Sequence, residues 1–463
     1  MIRYFLPILL GIFIWLCPIP GGVEPEAWNL LAIFMATVAG IILQPLPMGA
    51  VALMGIVLTA ATGTLTIDEA LSGFSNSVIW LIVTAFFISR GFIKTGLGTR
   101  IAYLFMAAFG KKSLGLAYGF VATDLVLSPA IPSNTARTGG IIFPIIRSTA
   151  SAYDSYPNDL TSTRIGAYLI LTSFQSQNVT SAMFLTAMAA NPLAAQLAGD
   201  LGVNITWASW ALAASLPGLI SLILIPLILY KLYPPALKET SAAARQAKVK
   251  LAELGPMKSA EWIMLGTFLL LLILWILGSH VHLHATLTAL IGLCILLICK
   301  VLTWNDILKE TNAWNTLVWF AALVMMASFL NKLGIIPWFA NSMKDVVGSP
   351  HWIWALIGLI LIYFYSHYFF ASNTAHVSSM YAPFLAVAIS TGAPPVLSAL
   401  VLAFFSNLFS GTTHYGTGPA PVYFGSGYVP MSKWWTLGFV LSVVNILIWV
   451  GVGSLWWKLL GFW

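Results

Sequence analysis

The chain has 463 residues, of which 59% are hydrophobic and 8% charged, with a formal net charge of +7. A soluble domain carries about 25% charged residues, so a soluble fold is excluded and an all-α polytopic membrane protein is implied. The three cysteines, Cys17, Cys294 and Cys299, lie in or beside apolar runs and call for neither a disulfide framework nor a metal cluster.

In chain order, the first apolar run, 4–19, follows a single cation, Arg3, and ends in a Cys-Pro-Ile-Pro-Gly-Gly turn without a small-residue cleavage site, so it is expected to persist as a first helix. Spans follow at 27–45, 48–66 and 76–95, and then a stretch with Arg90, Lys94, Arg100, Lys111 and Lys112 that should be cytoplasmic. Residues 113–147 are apolar on both sides of a kink at Ser128, Pro129, Pro132 and the run Ser133-Asn134-Thr135-Ala136-Arg137. Two arms too short to cross read as a re-entrant hairpin with that run at its tip. Asp124, in the first arm, is a partner for Arg137, a substrate ligand, or a carboxylate satisfied by backbone amides.

The segment 165–199 carries Gln175-Ser176-Gln177-Asn178-Val179-Thr180-Ser181 and then Asn191-Pro192, and is expected to be a helix broken at both places. A span at 207–230 and a basic linker complete the first half. The second half has spans at 260–279, 283–300 and 314–331, then a hairpin holding Ser372-Asn373-Thr374-Ala375-His376. A segment at 396–425, expected to break at Asn407 and through 410–419, and a last span at 434–460 follow. The expected fold has about 11 transmembrane helices plus two re-entrant hairpins. Its divisions are an extra helix (1–26), a first repeat (27–232, hairpin 113–147), a cytoplasmic linker (233–260) and a second repeat (261–460, hairpin 352–388).

The repeat rests on matched landmarks. Trp28 and Trp262 are 234 residues apart, Asn76-Ser77-Val78-Ile79-Trp80 and Asn315-Thr316-Leu317-Val318-Trp319 are 239 apart, Lys94 and Gly96 match Lys332 and Gly334 at 238, and the two Ser-Asn-Thr runs recur at 239. An odd number of crossings between equivalent points makes the halves inverted. With the N-terminus cytoplasmic and the C-terminus outside, only Lys332, Lys344 and Lys458 of the 21 Lys and Arg face outward, with Arg137 in the first hairpin. The positive charge therefore reports topology in a membrane such as the bacterial inner membrane, and no nucleic-acid partner is needed.

At each tip a helix should start just after Ser-Asn-Thr, since Ser and Asn are good N-caps. Its free amides and positive dipole end favour an anion, and two such ends facing each other suit a ligand with two carboxylates. Arg137 and His376 lie in the first turns and are expected to supply compensating charge. An intramembrane hydrolase built on Ser372/His376 or Ser410/His414 lacks any G-x-S-x-G or H-E-x-x-H context. A passive anion channel is the remaining alternative.

The stretches SPAIPSNTARTGGIIFPII, ASNTAHVSSMYAPFLAVAI and NLFSGTTHYGTGPAPVYFGSGY resemble the divalent anion:sodium symporter family, in its exchanger branch of plastid 2-oxoglutarate/malate translocators and bacterial citrate/succinate and tartrate/succinate antiporters. The resemblance implies scaffold and transport parts, an elevator-type cycle, a homodimer in membrane lipid, and no cofactor or metal. It also implies small di- or tricarboxylate substrates such as 2-oxoglutarate, malate or succinate. These would be held by Ser133, Asn134, Thr135, Ser372, Asn373 and Thr374, with Thr186 and Thr417 on the broken helices in support. Arg137 and His376 depart from the sodium-coupled members, so sodium-independent antiport is expected and sodium-coupled symport is the alternative.

Overall fold

The computed structural model describes residues 2–347 and 351–463. The expected outward position of Lys344 concerns a side chain outside those described. Among the described residues there are no strands, and eight helices are long and apolar enough to cross a membrane.

The first half runs α1 (Ile2–Leu16), α2 (Pro25–Leu43), α3 (Met48–Ala61), α4 (Ile67–Leu71), α5 (Ser77–Thr95) and α6 (Leu97–Phe109). The first hairpin arm, α7 (Ser113–Leu127), the returning arm ending in α8 (Phe143–Ala152), the broken pair α9 (Gly166–Met183) and α10 (Ala190–Asp200), and α11 (Trp207–Leu232) complete it. After α12 (Ser241–Leu254) the same succession recurs, beginning α13 (Ser259–Val281), α14 (Ala285–Ile298), α15 (Trp304–Leu308), α16 (Thr311–Lys332) and α17 (Ile335–Val347). It continues through the second hairpin, α18 (Trp352–Tyr365), α19 (Asn373–His376) and α20 (Ala382–Ser390), and the broken pair α21 (Pro395–Leu408) and α22 (Ala420–Gly425). It ends on α23 (Met431–Ile446) and α24 (Ser454–Leu459), which join through a wide turn at Leu447–Gly453 into one long helix.

Local chemistry repeats with the elements. α4 starts in a capping box of Thr66 with Glu69, and α15 starts in one of Thr303 with Asp306. Each returning hairpin arm holds a π-helical stretch near its start, Thr135–Ile142 and Val377–Tyr381, with a proline, Pro144 or Pro383, two residues past its end. Proline donates no backbone hydrogen bond, and a wide turn before it absorbs the missing i→i−4 partner.

Two segments to which the sequence assigned no span are helical. The basic stretch after residue 95 folds as α6, because Arg100 is buried, donating from Nε to Glu261 Oε1 at 2.6 Å and from Nη1 to the Gly255 carbonyl at 2.9 Å. The linker is helical in α12, which packs on α6, and it is anchored where Thr240 N donates to Lys111 O at 2.8 Å and Ser113 N to Lys238 O at 3.0 Å.

The expected positions of the breaks are overturned. α9 runs unbroken through the polar residues 175–181, and the chain opens at 184–189. Most of its polar groups find partners inside the protein, with Gln175 donating to Gly411 O at 2.9 Å, Asn178 to Phe174 O at 3.1 Å, and Thr180 to Gln177 O and Asp124, while Ser176 Oγ and Gln177 Oε1 are buried without one. Asn191-Pro192 instead begins α10, where a missing N–H is harmless. Asn407 likewise stays within α21, and the second break spans 413–419. Every residue of α9 is buried, and it packs against α7, α11 and α21.

Candidate functional site

The two tips are built alike. The hydroxyl of Ser133 accepts from the Ala136 amide at 3.1 Å and that of Ser372 from the Ala375 amide at 3.4 Å, so each serine caps a returning helix. Ser133, Asn134, Thr135, Ser372 and Thr374 are half-buried, whereas Asn373 is 6% exposed.

Each tip is tied to a break. Asn134 Nδ2 donates to Thr417 Oγ1 at 3.0 Å, joining the first tip to the loop between α21 and α22. A Cβ on Gly418 would fall 2.2 Å from Thr135 Oγ1, so that loop approaches the tip as closely as a glycine permits. Asn373 Nδ2 donates to Ser410 Oγ at 2.6 Å and Ser406 O at 3.1 Å, and touches Met188 Sδ at 3.2 Å, joining the second tip to the first break and to the end of α21 that leads into the second. Its Oδ1 is buried without a partner, an acceptor left open beside the tip. Thr186 is committed elsewhere: its hydroxyl donates to Pro129 O at 2.7 Å and accepts from Trp207 Nε1 at 3.1 Å, so it supports the first tip from behind.

Arg137 is buried and fully partnered. Its Nε donates to Asp124 Oδ1 at 2.6 Å, Nη1 to the carbonyls of Ile131 at 2.8 Å and Ala187 at 3.0 Å, and Nη2 to Ser181 Oγ at 3.0 Å. The other Asp124 oxygen accepts from Thr180. Of the alternatives for Asp124, the ion pair with Arg137 is the one realised, and the first tip holds a neutral pair instead of an unpaired cation. The guanidinium acts as a clamp between the hairpin and the first break.

His376 is also buried, and its partner was not singled out by spacing. Its Nδ1 lies 3.0 Å from Nδ1 of His367, whose Nε2 lies 2.8 Å from the Gly416 carbonyl. The His376 ring stacks between Phe370 and Phe409, at centroid distances of 4.5 and 4.6 Å. Neither hydrolase pair forms a dyad: Ser372 caps α19, His376 faces Ser366 at 3.3 Å, Ser410 accepts from Asn373, and His414 accepts from Trp435 Nε1 at 3.1 Å. Tyr423 was also missed from sequence; its hydroxyl lies 2.9 Å from Ser173 Oγ and donates to Thr138 O at 3.2 Å, bracing the first tip against α9.

Capped re-entrant tips lodged between broken helices, within an apolar helical bundle, define a membrane transporter. The sequence profile of the sodium:sulfate symporter transmembrane region matches residues 1–463, and the chain belongs to that family. A putative malate transporter of Bacillus subtilis, YflS, is 60% identical, covering 100% of this chain and 97% of the relative. The chloroplastic dicarboxylate transporter 1 of Spinacia oleracea is 52% identical over 98% of this chain and 81% of its own length. The inner membrane protein YbhI of Escherichia coli is 39% identical over 99% and 96%. Among solved structures, the YdaH transporter of Alcanivorax borkumensis superposes with a TM-score of 0.58 at 12% identity, over 88% of this chain and 89% of that one, a likeness of fold alone. The protein is thus an integral membrane transporter and not an enzyme.

Proposed function

We propose that the protein exchanges small di- or tricarboxylate anions, of the size of malate, succinate or 2-oxoglutarate, across a bacterial inner membrane without sodium. The observation that carries this reading is the pair of serine-capped tips, each hydrogen-bonded to a break. Each tip offers roughly half a positive charge from its helix dipole. Two such ends can each hold one carboxylate of a dianion, and relatives named as malate and dicarboxylate transporters support the choice. The binding groups in this reading are Ser133, Asn134, Thr135, Ser372, Asn373, Thr374 and Thr417.

The argument for exchange rests on the same dipoles and no longer on Arg137, whose charge Asp124 cancels. An empty site leaves the free amides and positive ends of both tips without the anion they would hydrogen-bond, so return with a second anion in place is favoured over an empty return. No acidic residue occurs in 128–140, 184–190, 366–382 or 409–420, so a coupling cation would find only neutral oxygens there. The hairpins, α9–α11 and α21–α24 form the moving part in this reading. The remaining helices of two inverted repeats form a scaffold that pairs as a homodimer, with the N-terminus inside and the C-terminus outside.

Counterflow of labelled dicarboxylate into proteoliposomes loaded with unlabelled dicarboxylate, with and without sodium, tests the proposal. Exchange should proceed equally in both. The family's profile is described for sodium symport, and sodium-driven uptake into vesicles free of internal dicarboxylate would establish that second reading instead.

A further inference from the structure

The neutral Arg137–Asp124 pair leaves a charge unaccounted for. A dianion between two helix ends worth roughly one positive charge in total keeps about one net negative charge. The buried histidines of the second hairpin are placed to supply the remainder.

The hydrogen bonds fix both tautomers. The Gly416 carbonyl can only accept, so His367 carries its proton on Nε2 and presents a bare Nδ1, to which His376 donates from its own Nδ1. His376 Nε2 is then bare and lies 3.3 Å from Ser366 Oγ. That hydroxyl has a second outlet, the Tyr363 carbonyl at 2.9 Å. When His376 Nε2 is bare, Ser366 donates to it; when Nε2 is protonated, the ring donates to Ser366, whose proton turns to Tyr363 O. Every group is hydrogen-bonded in both states, so one extra proton enters without breaking a contact. A second would set N–H against N–H across 3.0 Å.

The surroundings suit an added charge. The His376 ring is stacked by Phe370 and Phe409, with Tyr363 at 4.7 Å, and aromatic faces stabilise a cation. The titratable groups against it are Tyr363 from α18, His367 from the turn after α18, and none from Phe370, from Phe409 or from the loop holding Gly416. Among the described residues, no charged side chain hydrogen-bonds to it or stacks on it.

We propose that the His367–His376 pair is a proton-binding site that takes up one proton when a dicarboxylate enters, so that the transported unit carries H+ with the anion. This rests on the dicarboxylate reading above. His376 lies in the first turn of the arm whose end faces the site, about 6 Å along the helix from Ser372. A dianion at that range raises the proton affinity of the pair roughly tenfold or more.

Calorimetric titration of purified protein with succinate at about pH 7.5, where free carboxylates are ionised, is run in buffers of different ionisation enthalpy. The dependence of the observed heat on the buffer gives the protons taken up per succinate bound. Wild type should take up a measurable fraction of a proton. His376→Gln should take up none per succinate bound, whatever its affinity. Ser366→Ala, which removes the partner of Nε2 in both states and costs the charged ring more than the neutral one, should move the uptake to lower pH. Binding heat with no buffer dependence in wild type, or equal uptake in His376→Gln, overturns the inference while leaving the dicarboxylate reading intact. Absence of binding heat with succinate, malate and 2-oxoglutarate overturns both, because nothing then supplies the charge that draws the proton.

Discussion

Arg137 and Asp124, 13 residues apart on opposite arms of one hairpin, meet at 2.6 Å with side chains 0% and 4% exposed. The guanidinium spends its remaining donors on the Ile131 and Ala187 carbonyls and on Ser181, so a single ion pair holds the first arm, the tip and the first break in register. Removing one partner of a buried pair costs about 3–5 kcal/mol, whereas replacing both with apolar groups is far milder. Arg137→Ala should therefore lower the thermal stability of the detergent-purified protein sharply, and Arg137→Met combined with Asp124→Leu should recover most of it. A double variant no more stable than Arg137→Ala would show that the pair is not what holds the tip.

The two tip asparagines should separate function from folding. Asn134 is half-buried and bonds Thr417, whereas Asn373 is buried among Ser406, Ser410 and Met188. A hydrogen bond to a charged group contributes about 1.5–3 kcal/mol, so Asn134→Ala should raise the half-saturating dicarboxylate concentration at least tenfold with little change in melting temperature. Asn373→Ala should raise it as much and also lower the melting temperature. Unchanged affinity in both variants would remove the tips from the site.

Gly418 offers a test that uses no binding side chain. A Cβ there would stand 2.2 Å from Thr135 Oγ1, so Gly418→Ala must push the first tip aside. Overpacking of this kind costs about 1–3 kcal/mol, which should appear as roughly a tenfold weaker affinity. Thr135→Ser keeps the hydroxyl and should not relieve the variant, whereas Thr135→Ala should relieve it in part. Equal affinity in Gly418→Ala and wild type would mean that the contact is absent from the binding state.

Accessibility labelling addresses the cycle. Cysteines at Thr138 and Ser378, each in the first two turns of a returning arm and buried here, should become reachable from opposite sides of the membrane in different states. Labels on α12, docked against α6, should stay reachable from one side throughout. A tip cysteine open to both sides at once would indicate a channel.

Much of this architecture is legible in the chain itself, because lipid leaves few choices. Where water is absent every backbone group must be paired internally, so apolar runs become helices, and polar or proline-rich interruptions at mid-depth mark breaks lined by protein. The recurrence of Ser-Asn-Thr, the serine caps and the landmarks spaced by 234 to 239 residues follow from residue identity, and the serine caps are found where they were expected.

What only the tertiary structure decided is which polar group meets which. The run 175–181 looked like a break because its hydrogen-bonding capacity is large, yet α9 stays whole, with Gly411 and Asp124 coming from distant segments to pair Gln175 and Thr180. Arg137 could be a compensating cation or the partner of Asp124, and packing chose the partner; His376 read as a charge facing substrate until His367 and three aromatic rings enclosed it. Sequence carries the price of burying a polar or charged group; the partner that offsets it is chosen by packing, and in this protein that choice turns one expected charge into a neutral clamp and the other into a hydrogen-bonded histidine pair.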